Sequence, residues 1–122
     1  MKRILITGGT GFIGSNIAVP HYHVMGPAKA SLEASSRYLA RELGPENIRV
    51  NVVSSGAIKT LSSAGIKDFA ELMRIGAEHS AMKRTVTQDE VAQTALFLVS
   101  EASSGITGQV IYVDCGYSIM AN

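Results

Sequence analysis

Tyr22 and Lys29, seven residues apart, are the side chains in this sequence best placed to do chemistry together. On a helix that separation is two turns, so both side chains share a face, about 10 Å apart along the axis. A phenol there can hydrogen-bond a developing oxyanion or donate a proton, and a lysine can bond a sugar hydroxyl while adding positive charge nearby. As bare residue types, both are more often ordinary surface residues.

A second motif lies at the start of the chain. Thr7 to Gly14, TGGTGFIG, places glycines at 8, 11 and 14 directly after the apolar run RILIT. Gly8, Gly11 and Gly14 would tighten the turn and let backbone amides approach a pyrophosphate, with a helix N-terminus beyond them as its positive end. The plain alternative is a tight strand-to-helix turn with no ligand. No second strand ending in an acid follows about 20 residues on to hold an adenosine ribose. Glu33 stands near that distance but inside a helical pattern.

Other chemical candidates carry less. His21 and His23 flank Tyr22 but have no third ligand, and His79 is far away in sequence, so no metal is expected. Cys115 follows a strand pattern and reads as a small buried hydrophobe. Lys83 and Arg84 read as a solvated turn, with attraction of an acidic carrier protein as the functional alternative.

The elements that must position these residues alternate. Arg3 to Thr7 reads as a strand buried on both faces, as in a parallel sheet. Phe12 to Ala18 could open a helix that Pro20 stops. A long helix is expected from near Val24 to Leu43, with Ala28, Leu32, Ser35, Leu39 and Leu43 as its buried stripe. Gly44 and Pro45 end it, glycine as C-cap. Ile48 to Val53 is a second strand, Ser54 to Thr60 a loop, and Ile66 to His79 a weaker helix. Thr87 and Glu90 form a capping box whose helix buries Val91, Ala95, Leu98 and Val99. Gly105 and Gly108 bracket a turn before a last strand, Gln109 to Val113. The expected fold class is α/β, a truncated Rossmann-like three-layer sandwich with a mainly parallel sheet, in one domain over residues 1–122.

Composition agrees with a globular chain. Of 122 residues, 46% are hydrophobic and 17% charged, and the net charge is +1. That balance gives no strong pull toward nucleic acid or a membrane surface. The longest apolar runs are too short to span a bilayer. A single cysteine excludes an intramolecular disulfide, and without an export signal the expected compartment is the cytoplasm.

The stretch YHVMGPAKASLEASSRYLARELGPENIRVN, from Tyr22 to Asn51, resembles the enoyl-acyl-carrier-protein reductases of the short-chain dehydrogenase/reductase superfamily. Their Tyr-x6-Lys spacing differs from the usual Tyr-x-x-x-Lys of the superfamily, which would put the lysine where Gly26 stands. The likeness continues through SSGAIKTLSSAGIKDF, RTVTQDEVAQTALFLVS and SGITGQVIYVDCGYSIM, so it covers residues 19–122 nearly colinearly. TGGTGFIG, in residues 1–18, instead resembles the extended short-chain dehydrogenases, the epimerases and dehydratases.

The resemblance implies roles. Tyr22 stabilises the enolate formed when hydride reaches the substrate, and Lys29 holds the nicotinamide ribose. Gly56, Ala57 and Ile58 form the loop facing the carboxamide, Thr60 approaches the pyrophosphate, and Leu61 to Gly76 match a lid over the acyl chain. The family usually has proline at the position of Ala57, and Pro27 replaces a common apolar residue. The implied cofactor is NADH, with NADPH as the alternative, and the implied substrate is an enoyl thioester on acyl carrier protein. Against the family the middle strands are missing: in the parent fold the first strand is not beside the last two, and the sequence leaves open how the gap in the sheet is closed here. The competing reading is a catalytically silent truncated or chimeric module.

Three strands leave sheet edges open, and the family's tyrosine-bearing helix packs against other subunits, so a homo-oligomer is expected. Size-exclusion chromatography with light scattering at micromolar concentration should show a dimer or larger; a monodisperse monomer with a cooperative melt contradicts it.

Overall fold

The computed structural model describes residues 3–7, 24–58 and 69–120. The elements are β1 (Arg3–Thr7), α1 (Met25–Leu43), β2 (Arg49–Ser55), α2 (Phe69–His79), α3 (Gln88–Val99) and β3 (Val110–Val113). Single turns of 3-10 helix cover Gly44–Glu46, Glu101–Ser103 and Tyr117–Ile119. The expected helix of residues 12–18 lies outside the described residues. The second strand starts one residue later than its apolar pattern suggests and runs on through Ser54 and Ser55, which were expected in a loop.

All three strands are parallel, in the order β1-β2-β3. The gap that the missing strands leave in the parent order is closed by direct pairing of the first strand with the second. Arg3 to Thr7 pair directly with Arg49 to Val53. A β1-α1-β2 unit joins neighbouring strands by the shortest crossover, and sequential elements usually settle side by side.

β2 is the centre. Every residue from Arg49 to Ser54 is buried, so both faces of the strand are covered. One face carries Arg49, Asn51 and Val53. There the Arg49 guanidinium donates to Leu98 O (2.5 Å), Ser100 O (3.3 Å) and Ile106 O (2.9 Å). The first two carbonyls close α3 and the third belongs to the turn before β3. The last carbonyls of a helix have no partners within it, and a cation there also meets the negative end of the helix dipole. Asn51 lies beside it, donating to Ile106 O (2.9 Å) and accepting from Gln109 N (3.1 Å). α3 thus belongs to this face, and α1, the other helix packed on β2, covers the Val50, Val52 and Ser54 face.

α1 turns a different stripe inward from the leucine pattern. Its buried residues are Glu33, Ser36 and Ala40, with Lys29 and Leu43 half-buried along the same line. Ala28 and Ser35 are exposed, Leu39 is 36% exposed, and Leu32 sits at the flank. A Cβ built on Gly108, before β3, would lie in ordinary contact with Ala40, 3.5 Å from its Cβ, so this stripe, and not the leucine one, meets the sheet.

α1 ends at Leu43 with Gly44 as its C-cap, as expected. Gly44 is right-handed helical and begins a 3-10 turn with Pro45, and Asn47 takes the left-handed conformation instead, at φ 58°. Asparagine tolerates that region better than most residues. Ile48 N then donates to Leu43 O (3.2 Å), which turns the chain into β2.

Replacing Arg49 by Met should destabilise the fold by about 3 kcal/mol, because buried carbonyls lose charged donors, and Arg49→Lys should recover part of that loss. Urea unfolding at fixed protein concentration tests this, and a loss below about 1 kcal/mol would contradict the role.

Candidate active site

Parallel strands end at one edge, and in open α/β sheets ligands bind outside that edge. Here the edge is formed by Thr7, Ser55 and Val113, since Thr7 pairs with Val53 and Ser55 with Val113. Gly56, Ala57 and Ile58 continue from β2, and Asp114, Cys115 and Gly116 from β3. α1 returns the chain from the end of β1 to the start of β2, so its first turns rise from the same edge.

Lys29 sits in the second turn of α1, half-buried and in line with Glu33 and Ser36. Pro27 falls in the first turn, where its missing N–H costs no helical bond. The helix begins at Met25 and carries Lys29; Tyr22 lies outside the described residues. Gly8, Gly11, Gly14, Thr60, His21 and His23 lie outside them as well.

Gly56 is held tightly. Its N–H donates to Val113 O (3.0 Å), and a Cβ there would come within 3.1 Å of the Asp114 Cα and 3.3 Å of a Val86 methyl. A side chain here would make β3 or Val86 give way by a few tenths of an ångström. Ala57 is buried and Ile58 half-buried. Gly56, Ala57, Val86 and Asp114 line a narrow cavity with Gly76 of α2, the part of the expected lid segment that is described. A broader, shallow groove runs from Ile58 and Met73 to Thr87 and Asp89 at the start of α3.

The turn after β3 is fixed by Asp114, which the motif search passed over. Its carboxylate accepts from Gly116 N and Ser118 N, both at 2.9 Å. Aspartate commonly bonds the backbone two residues on, and D-x-G was the available signal. Gly116 adopts φ 78°, and a Cβ on it would press to 2.7 Å from the Ala81 Cβ. Cys115 is buried between them, and burial pushes its thiol up, which agrees with a packing residue. Met82 N donates to Cys115 O (3.1 Å), tying this turn to the end of α2.

The capping box of α3 forms in full: Glu90 N donates to Thr87 Oγ1 (3.2 Å) and Thr87 N to Glu90 Oε2 (2.8 Å). Of the residues expected to be buried, Leu98 is fully so and Val91, Ala95 and Val99 are half-buried. Arg84 is more than a solvated turn residue, because it grips Glu90 with two bonds of 2.6 and 3.0 Å. Lys83 donates to Glu78 O (2.8 Å), near the end of α2. Among the described residues no cluster of His, Cys, Asp or Glu could hold a metal ion, and no helix is long and apolar enough to cross a membrane.

A family profile described as enoyl-(acyl carrier protein) reductase matches residues 6–118. The chain belongs to the enoyl-(acyl carrier protein) reductase family. It is 50% identical to the NADH-dependent enoyl-[acyl-carrier-protein] reductase FabI of a Nostoc species, over 98% of this chain and 48% of that protein. It is 54% identical to the Neisseria meningitidis FabI, over 90% of this chain and 42% of that one. The crystal structure of the Bacillus cereus enoyl-acyl carrier protein reductase with NADP+ and indole naphthyridinone superposes with a TM-score of 0.90 at 46% identity, covering 99% of this chain and 46% of that one. The Anaplasma phagocytophilum enoyl-(acyl-carrier-protein) reductase with NAD gives 0.87 at 42% identity, covering 98% and 45%. The chain thus spans just under half the length of these relatives. Coverage of 99% takes β1 into the superposition, so the reductase likeness extends into residues 1–18.

The Arg84 guanidinium, helped by the Thr87 backbone N–H and hydroxyl, holds the Glu90 carboxyl at about 2, below its ordinary 4.5. A depressed carboxyl stabilises the fold above its unfolded value and loses that effect as pH falls through the folded one. Wild type should therefore melt higher than Glu90→Gln at pH 7, with the two converging between pH 4.5 and 2. Melting curves across that range test it, and a constant difference would exclude the charge as the cause.

Proposed function

We propose that this chain supplies one half of a reductase site that reduces the double bond of an enoyl thioester on acyl carrier protein, in the cytoplasm, with NADH or NADPH as reductant and as a homo-oligomer. The observation that carries it is the position of Lys29, from the family's Tyr-x6-Lys motif. It rises from the sheet edge at which Gly56, Ala57 and Ile58 leave β2.

The arrangement fits a nicotinamide dinucleotide in part. In its favour are a parallel edge with a glycine exit and a lysine in an early turn of the adjoining helix. Against a full site, β1 lies about one strand spacing, 4.8 Å, from β2. β1 therefore ends beside β2, with Thr7 opposite Val53, and the acid-bearing strand for the adenosine ribose has no counterpart among the described residues.

When bound, the dinucleotide supplies hydride. The chain's own part is to bind and orient. Lys29 holds a ribose hydroxyl and adds positive charge, and the Tyr22 hydroxyl donates a hydrogen bond to the thioester oxygen as charge develops there. Backbone groups of Gly56, Ala57 and Ile58 face the carboxamide, while Thr60 and the amides of Gly8, Gly11 and Gly14 approach the pyrophosphate. The second reading, a catalytically silent module, is favoured by coverage of less than half of each relative.

Tyr22→Phe should lower turnover with no change in melting temperature, and Lys29→Ala should also weaken cofactor binding. Equal activity in wild type and both variants would contradict these roles. Isothermal calorimetry should find NADH bound more than tenfold more weakly than by a complete relative. Two lost bonds of about 1 kcal/mol each already give that factor, and lost preorganisation adds to it. A low-micromolar dissociation constant abolished by Gly8→Val would show instead that the remaining parts build a full site.

A further inference from the structure

We propose that Glu33 is a positioning residue for Lys29: one turn further along the buried line of α1, its carboxyl supplies the negative charge that keeps the Lys29 ammonium charged and drawn toward the sheet. The use of that ammonium to hold a ribose rests on the reductase reading; the coupling of the two side chains does not.

The first argument is the place of Lys29 in its helix. It stands in the second turn of α1, half-buried, and the first turn holds no acidic residue. The N-terminal end of a helix is its positive end, where a carboxylate is favoured and an ammonium opposed. Burial opposes the charged form of a lysine as well. An anion within about 6 Å counters both effects, and Glu33 is the first acid that α1 contains.

The second argument is Glu33 itself. It is only 7% exposed, and its Oε1 has no hydrogen-bond partner, whereas buried carboxyl oxygens are normally paired. The Ser36 hydroxyl, on the same stripe, is used elsewhere: it donates to the Glu33 main-chain oxygen (2.8 Å). Residues four apart on a helix have Cβ atoms about 6 Å apart. Helical side chains lean toward the N-terminus, so a side chain at 33 covers the turn that carries Lys29. Among the described residues no other charged group faces this pair. The elements packed on α1 are β2 and the 3-10 turn Gly44–Glu46. β2 presents Val50, Val52 and Ser54 to α1, and Arg49, on its other face, bonds main-chain carbonyls. Arg37, Arg41, Glu42 and Glu46 are exposed. The link is thus a charge acting across one helical turn, not a hydrogen bond.

Glu33→Gln keeps the shape of the side chain and removes its charge. In the full 122-residue chain, acetic anhydride read out by mass spectrometry labels the neutral amine of each lysine. Lys29 should be labelled at least about threefold faster in Glu33→Gln at mildly alkaline pH, and Glu33→Asp should restore the wild-type rate. Amide hydrogen exchange along α1 should not change, which separates a charge effect from a loosened helix. Calorimetry should find NADH bound about threefold more weakly by Glu33→Gln, with no such loss once Lys29 is already Met. An unchanged labelling rate, a faster rate that comes with faster amide exchange, or an equal loss of NADH affinity with and without Lys29 would each overturn the proposal. Faster labelling of Lys29 in a chain that binds no NADH in any form would sustain the positioning role and overturn the reductase reading.

Discussion

A buried guanidinium, bonded among the described residues to main-chain carbonyls and to no carboxylate, ties the elements of this fold together. Arg49 is 5% exposed, and its bonds go to main-chain carbonyls of two separate segments. An isolated buried charge would be costly, but the closing carbonyls of α3 and the Ile106 carbonyl are partial negative charges in fixed positions. The cation therefore satisfies acceptors that no helix can satisfy internally. It also sets how far α3 lies along β2 and where the chain must turn to begin β3. Its Nε, buried without a partner, shows that geometry at the carbonyls outweighs complete satisfaction of the donor.

Asn51 and Thr107 extend the same device along the strand. Before β3 begins, the chain is tied to β2 by side chains: Thr107 Oγ1 accepts from Val50 N (3.1 Å), and the Asn51 amide bonds Ile106 and Gln109. Backbone bonds from Gly108 N to Val50 O (2.7 Å) and Val52 N to Gln109 O (2.8 Å) complete the approach. Gly108, at φ 71°, makes the turn between them. On its β3 side the central strand is thus bonded from Val50 to Ser55 although β3 is only four residues long, and the Gly56 N–H continues that ladder to the sheet edge.

Around that exit the polar groups are used twice. Glu90 caps α3 and receives Arg84; Ser80 accepts from Arg84 N (3.1 Å) and donates to Arg84 O (2.9 Å). Asp114 fixes the turn that brings Gly116 against Ala81. The groove beside Ile58 is therefore bounded by turns held with charged and short hydrogen bonds, while the segment 59–68 between them lies outside the described residues.

The sequence by itself determined the local elements and the family. Strong periodicity, the Thr87–Glu90 box and the glycines near residues 105–108 are short-range signals, and each governs structure within a few residues of itself. The Tyr-x6-Lys spacing and the long colinear likeness named the reductases, because motifs of that kind need no knowledge of packing. Hydrophobicity alone chose the wrong face of α1: it counts leucines, whereas the stripe that meets the sheet carries Glu33, Ser36 and Ala40, with Leu43 as its one leucine. The sequence placed the C-cap of α1 at Gly44 but did not show the 3-10 turn that follows, closed by Asn47 in the left-handed conformation. Only the tertiary structure decided that β1 lies against β2, because pairing between residues more than 40 apart leaves no mark in either segment alone. The same holds for Arg49, whose partners lie 49 to 57 residues away, so that nothing near it in the chain marks it as the anchor.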